Sequence, residues 1–274
     1  MLFSRRALGR AALSAVPAPA LLARPKIPVA VQLYSVRKIA EADLAGTLAK
    51  IAGLGYRGVE FAGYYNHDAK TIRKLLDDSG LQAAGTHTPL QSLLEANLPR
   101  TIEFNKTIGN KYLIVPGLPP LYRDTIKAWR DTAGIFTDLA VRLRPEQMRV
   151  GLHNHTVEFE RIEGKIPLYE FLNNTPADVI AQLDIGHARR AGVDPAAFIR
   201  AYPKRFVTVH VKDYHPANKA ALVGEGEVRW KDVFRELESK GGVEWYIIEE
   251  ESGAYPGLEG IARSLERMKK MGKA

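Results

Sequence analysis

The 274-residue chain predicts an α/β fold, a closed (β/α)8 TIM barrel, and three observations carry that expectation. Eight short β-type runs alternate with eight helical segments, and no two runs are adjacent, as a parallel barrel requires. Most runs end in Asp, Glu or His, the pattern expected when every strand delivers its last residue to one rim. No G-x-G-x-x-G follows the first run, which counts against a doubly wound dinucleotide-binding sheet. With 46% hydrophobic content the chain can bury one large core, and such barrels run to about 250 residues as one domain.

The first strand is expected over residues 29–34, and the helix after it over 43–54, where Leu44, Leu48, Ile51 and Leu54 fall at helical spacing. Gly55 stops that helix, and residues 56–61 form the second strand with Glu60 as its polar end. A helix over 71–78 is closed by Gly80, and strand three over 81–87 ends in His87. A helix over 100–108 stops at Gly109, and strand four over 112–115 offers no side-chain ligand.

A long amphipathic helix spans 125–143, and strand five over 149–152 runs into His153, Asn154, His155 and Glu158, the densest polar cluster in the chain. A helix over 167–172 precedes strand six at 179–184, which ends in Asp184 with His187 just beyond. After a helix over 195–201, strand seven at 206–211 carries His210 and leads to Lys212. The glycine-flanked loop Gly224-Glu225-Gly226 and a helix over 230–239 follow. Strand eight at 245–248 ends in Glu249, and a helix over 258–271 completes the outer ring.

Residues 1–26 read as a leader and 27–274 as the barrel domain. Ser4-Arg5-Arg6-Ala7-Leu8, a short Ala/Leu-rich stretch and the small-residue triplet Ala18-Pro19-Ala20 resemble a twin-arginine export signal, so a periplasmic location is expected. Cleavage after Ala20 would remove Arg5, Arg6 and Arg10 and no acid, taking the formal charge from +8 to +5. The remaining Lys and Arg are scattered without an aromatic-interleaved cluster, so no nucleic-acid partner is expected. No apolar run of 18 residues occurs, so no membrane association is expected once the leader is gone. The chain has no cysteine and therefore neither disulfides nor thiolate chemistry.

Glu60, His87, His153, His155, Glu158, Asp184, His187, His210, Lys212 and Glu249 are expected to gather at the C-terminal rim, with Gln32 and Tyr34 from strand one. Taken singly, Asp184 could be a helix cap and His210 a satisfied core histidine. Taken together, imidazole and carboxylate without thiolate suit a divalent ion, Mn, Mg, Co, Fe or Zn. Held by Asp184, His210 and Glu249, such an ion leaves positions open for two substrate oxygens.

In order, Gln32-Leu33-Tyr34-Ser35, Val59-Glu60, Gly85-Thr86-His87, His153-Asn154-His155 with Glu158-Phe159, Leu183-Asp184, His210-Val211-Lys212-Asp213, Gly224-Glu225-Gly226 and Ile248-Glu249 resemble the xylose isomerase-like barrel superfamily. More narrowly they are similar to its sugar phosphate isomerase/epimerase-like proteins, from about Val29 onward. The resemblance implies a metal bound by a Glu on strand five, an Asp on six, a His on seven and a Glu on eight. Asp184, His210 and Glu249 match, whereas His153 stands where ketose epimerases carry the first Glu. In those epimerases the two glutamates exchange the sugar's proton from opposite faces, and here the pair is broken.

The expected function is a metal-dependent isomerase or epimerase, or a related lyase or dehydratase, acting on a sugar or keto-sugar through an enediolate. Glu249 is the expected ligand and base, Glu158 the alternative base, and Lys212 a stabiliser of negative oxygen. His153, Asp184, His210 and Glu249 are the expected metal ligands. Gln32, Tyr34, Glu60, His87, His155 and His187 are expected to face the sugar. The competing classes are a non-catalytic sugar-binding barrel and an endonuclease-type barrel, the latter disfavoured by mild, scattered charge. Export also makes phosphorylated substrates less expected.

Overall fold

The computed structural model describes residues 26–274, so the leader reading, apart from Lys26, falls outside the described residues. Eight strands close a parallel barrel in sequence order, with β8 returning to β1. They are β1 (Val29–Gln32), β2 (Gly58–Phe61), β3 (Gln82–His87), β4 (Tyr112–Val115), β5 (Arg149–His153), β6 (Ile180–Asp184), β7 (Thr208–Val211) and β8 (Trp245–Ile248). The helices around them are α1 (Arg37–Ala42), α2 (Leu44–Leu54), α3 (Ala69–Ser79), α4 (Leu98–Ile108), α5 (Ile126–Leu143) and α6 (Pro167–Asn173). The ring is completed by α7 (Ile185–Arg190), α8 (Pro195–Ala201), α9 (Trp230–Glu236) and α10 (Glu259–Lys270). Among the described residues no helix is long and apolar enough to cross a membrane.

The helical glycine stops act as the sequence predicts, since Gly55 and Gly80 sit in the left-handed region at the ends of α2 and α3. Several elements differ from expectation, among them the unforeseen helix α1 and the shorter β2 and β7, and two of the differences have a clear local reason. The first strand ends at Gln32 rather than residue 34, because the Gln32 side chain accepts the Tyr34 N–H at 3.1 Å and turns the chain into a 3-10 turn, Leu33–Val36. An extra helix, α7, starts directly after β6, capped by Asp184, whose Oδ1 accepts the His187 N–H at 2.8 Å. The helix expected over 230–239 is α-helical only to Glu236 and continues as a π turn, Leu237–Gly241.

One apolar cluster lies between strands and helices; a second, comprising Ala30, Ala84, Tyr112, Ile114, Ile180, Val207, Trp245 and Ile247, fills the barrel interior. Side chains alternate along a strand, so every second residue above that layer also points inward. Above Ala30 and Ile180 come Gln32 and Gln182, and the next inward position on β6 is Asp184. The barrel interior is thus apolar at one end and polar toward the C-terminal rim.

Candidate active site

Pairing places the predicted ligands side by side. Asp184 is opposite His210 on β6 and β7, His210 is opposite Ile247 on β8, and Glu249 lies two residues beyond Ile247. Ligand atoms of Asp184, His210 and Glu249 all lie within 4.8 Å of one another, and the same holds for His87, His153 and His210. His210 Nδ1 is 3.3 Å from Glu249 Oε2 and 4.0 Å from Asp184 Oδ2.

The donor set fits a divalent ion on its own chemistry. Asp184 Oδ2 is buried without a hydrogen-bond partner among the described residues, although its sister oxygen caps α7. A buried anionic oxygen left in that state costs free energy that a bound cation would recover. Lys212 Nζ stands 3.9 Å from that oxygen and 3.5 Å from Glu249 Oε2, and it also bonds Glu251. The other side of His210 is held by Glu60, whose Oε2 is 2.7 Å from Nε2, the carboxylate-to-imidazole support that orients metal-binding histidines.

The charges follow from this packing. Burial alone would raise the Glu249 carboxyl, but the His210 and Lys212 charges hold it well below the usual carboxylate range. Burial likewise opposes the charged form of His210, yet Glu60 and Glu249 on its two sides push it up to about 10. Lys212 is kept ammonium against burial by Asp184, Glu249 and Glu251. His153 is driven the other way, well below the ordinary imidazole value, by burial and by His210 and His87 beside it.

Beneath the rim lies a polar floor that the sequence pattern did not single out. Glu60 is fully buried and accepts from Gln32 Nε2 at 2.7 Å and from Gln182 Nε2 at 2.6 Å. Gln182 Oε1 lies 3.0 Å from His87 Nε2 and 3.1 Å from His153 Nδ1. Gln32 and Glu60, expected to face the sugar, are thus buried supports of the imidazoles. Gln182 is a site residue that motif reading missed; its place two before Asp184 on a barrel strand was the available signal.

Gly85 makes this floor possible, since a Cβ there would lie 2.7 Å from Glu60 Oε1. Gly85→Ala is expected to destabilise the fold by about 1–3 kcal/mol through overpacking, read by chemical denaturation. A variant as stable as the parent would show that Glu60 can move without cost.

The remaining predicted residues divide into two groups. His155 and His187 continue the imidazole row, with ring centroids 4.9 Å from His153 to His155 and 5.1 Å from His155 to His187. His187 Nδ1 is 3.0 Å from Thr156 Oγ1 and its Nε2 is 3.5 Å from Lys212 Nζ. A cavity of about 310 Å³ opens beside Lys212, Glu249 and His187 and is walled by Arg190, Tyr214 and Leu222. Glu158 and Tyr34 stand apart from this arrangement. The buried Glu158 carboxylate accepts the His155 backbone N–H at 2.7 Å, and Tyr34 is 43% exposed, with the Arg37 guanidinium 4.0 Å from its ring centroid.

The loop beyond β7 is clamped by Asp213, which accepts from the backbone of Tyr214, Gly224 and Val228 and from Trp230 Nε1. Gly226 packs so closely on the Asp213 carboxylate that a side chain there would collide with it. The glycine-flanked motif is therefore packed against the Asp213 clamp of the loop that walls the cavity.

A parallel barrel with imidazole, carboxylate and ammonium groups converging on a cavity at the C-terminal rim is an enzyme-type (β/α)8 barrel. The chain belongs to the xylose isomerase-like TIM barrel family, whose model matches residues 48–271. It is 23% identical over 228 residues to the rhizopine catabolism protein MocC of Rhizobium meliloti, spanning 75% of this chain and 69% of that protein. It is 22% identical to the inosose dehydratase of Clostridium tetani, over 77% of this chain and 83% of the relative. Among solved structures, a sugar phosphate isomerase/epimerase from Parabacteroides distasonis superposes with a TM-score of 0.74 at 24% identity, covering 93% of this chain and 98% of that one.

Proposed function

We propose that this protein is a metal-dependent enzyme that removes the C–H proton next to the carbonyl of a keto-sugar or keto-polyol, then eliminates water or isomerises the product. The observation that carries this reading is His153. The end of β5 holds a buried imidazole where two-faced epimerisation uses a second carboxylate, so a carboxylate base stands on one face alone. The dehydratase name of the Clostridium tetani relative fits an elimination that needs one base.

A divalent ion held by Asp184, His210 and Glu249 would polarise the carbonyl and stabilise negative charge on its oxygen. Glu249 accepts the neighbouring C–H proton, and the C–H pair becomes the C=C bond of an enediolate. Lys212 supplies positive charge to the developing oxyanion. In elimination, the C–O bond at the next carbon breaks and the departing hydroxyl takes a proton, which His187 beside Lys212 can deliver. The product spectrum tests the reading. With metal-loaded protein and a panel of ketohexoses and keto-inositols, the expected products by NMR are dehydrated or isomerised. A 3-epimer as the main product would overturn the one-sided base.

We further propose that the chain is exported to the periplasm by its twin-arginine leader. A reporter fused to residues 1–26 is expected to leave the cytoplasm, and changing Arg5 and Arg6 to Lys should retain it there. Export that survives both changes would remove this proposal.

A further inference from the structure

The Glu60–Gln182 floor decides which nitrogen of His153 carries a proton. Glu60 is fully buried, and as a carboxylate it can only accept hydrogen bonds. It faces the Gln182 amide at 2.6 Å, so the amide must turn its NH2 toward it; the reverse orientation would press a carbonyl oxygen against a carboxylate oxygen. The second N–H of that NH2 reaches Thr208 Oγ1 at 3.0 Å, so both of its donors are committed. Gln182 Oε1 is thereby fixed on the side of the imidazoles, 3.1 Å from His153 Nδ1 and 3.0 Å from His87 Nε2. An amide oxygen only accepts, so His153 must present an N–H at Nδ1.

We infer that Gln182 is a positioning residue that holds His153 in the Nδ1–H tautomer and so leaves Nε2 as an unprotonated lone pair able to ligate a cation. The inference deepens the proposed function and rests on it for its purpose. At the end of β5 a carboxylate would offer lone pairs in any orientation. An imidazole offers one, and only in the right tautomer, so replacing Glu by His at this position creates a need for a tautomer-setting partner. With the proton on Nε2 instead, His153 could not ligate through Nε2, and its bare Nδ1 would face Gln182 Oε1. The buried Glu60 carboxylate on β2, three strands from β5, therefore acts on His153 through the amide between them.

The test reads the tautomer directly. Nitrogen-15 spectra of the metal-stripped protein with labelled histidine, at pH 7, are assigned for His153 by loss of its signals in His153→Gln. The expected spectrum shows a protonated Nδ1 and a bare Nε2. A majority of Nε2–H, or a ring protonated on both nitrogens, would overturn the inference, and this result needs no variant of Gln182. In Gln182→Leu, or in Gln182→Met if the first does not fold, His153 is expected to become a mixture of tautomers. An unchanged tautomer in either folded variant would overturn the role of Gln182.

Titration with Mn²⁺ gives an independent readout. Gln182→Leu is expected to weaken apparent binding by about 10–100-fold, the usual loss on removing an outer partner of a metal-binding imidazole. Combined with His153→Gln, it should add little, because both act through one ring. Losses that multiply in full would place the action of Gln182 elsewhere and overturn the inference. None of these readouts uses turnover. Absence of proton exchange on every keto-sugar would remove the proposed reaction and leave the tautomer standing, whereas the wrong tautomer would remove this inference with exchange intact.

Discussion

Alanine at Asp184 is expected to abolish stoichiometric binding of a divalent ion. One oxygen of this carboxylate caps α7 at 2.8 Å and the other is buried without a partner, within 4.8 Å of donor atoms on His210 and Glu249. A site with so few protein ligands has no spare donor, and neutral substitutes do not balance the ion's charge. The cap is a separate role, and its loss costs about 1 kcal/mol, so the variant is expected to fold. Asp184→Asn separates the two roles, because it can still cap but loses the charge. Elemental analysis after dialysis gives the occupancy, and His210→Ala should match Asp184→Ala. Full occupancy in either alanine variant would sink the proposed site.

Glu249→Gln is expected to slow exchange of the substrate's C–H proton by about 10²–10⁴-fold while part of the metal stays bound. The glutamine keeps the shape and an oxygen donor and loses the basicity. His210 and Lys212 hold Glu249 well below the usual carboxylate range, which keeps it ionised and also makes it a reluctant base. Glu158→Gln is the comparison, read by the same exchange rate. Its carboxylate bonds the His155 backbone at 2.7 Å, so its loss should act on loop stability more than on exchange. A large loss there with a silent Glu249→Gln would move the base to the segment after β5.

The barrel was legible because its signal is repetitive: alternating runs, glycine stops and polar strand ends recur around the chain, and each supports the others. What escaped was local. The early end of β1 and the extra helix α7 both arise from one side chain bonding a nearby backbone N–H, at Gln32 and at Asp184, which periodicity does not register. Asp184, His210 and Glu249 were legible as a group because strand ends converge whatever the detailed register. The floor was not, because Gln182 and Glu60 lie 122 positions apart and meet only through the closed barrel. Glu251, which bonds Lys212, escaped because it sits in an acidic run that reads as a solvated loop.

The central claim is that metal and carboxylate together labilise a C–H bond beside a carbonyl. It is tested most directly by incubating the protein with keto-sugars and keto-inositols in D₂O, metal-loaded and after chelation, and following deuterium at the carbon next to the carbonyl by NMR. The account predicts incorporation into at least one substrate, lost on chelation and restored by adding the ion back. Exchange that persists undiminished in the chelated protein, or no exchange across the panel with the ion fully bound, would contradict it.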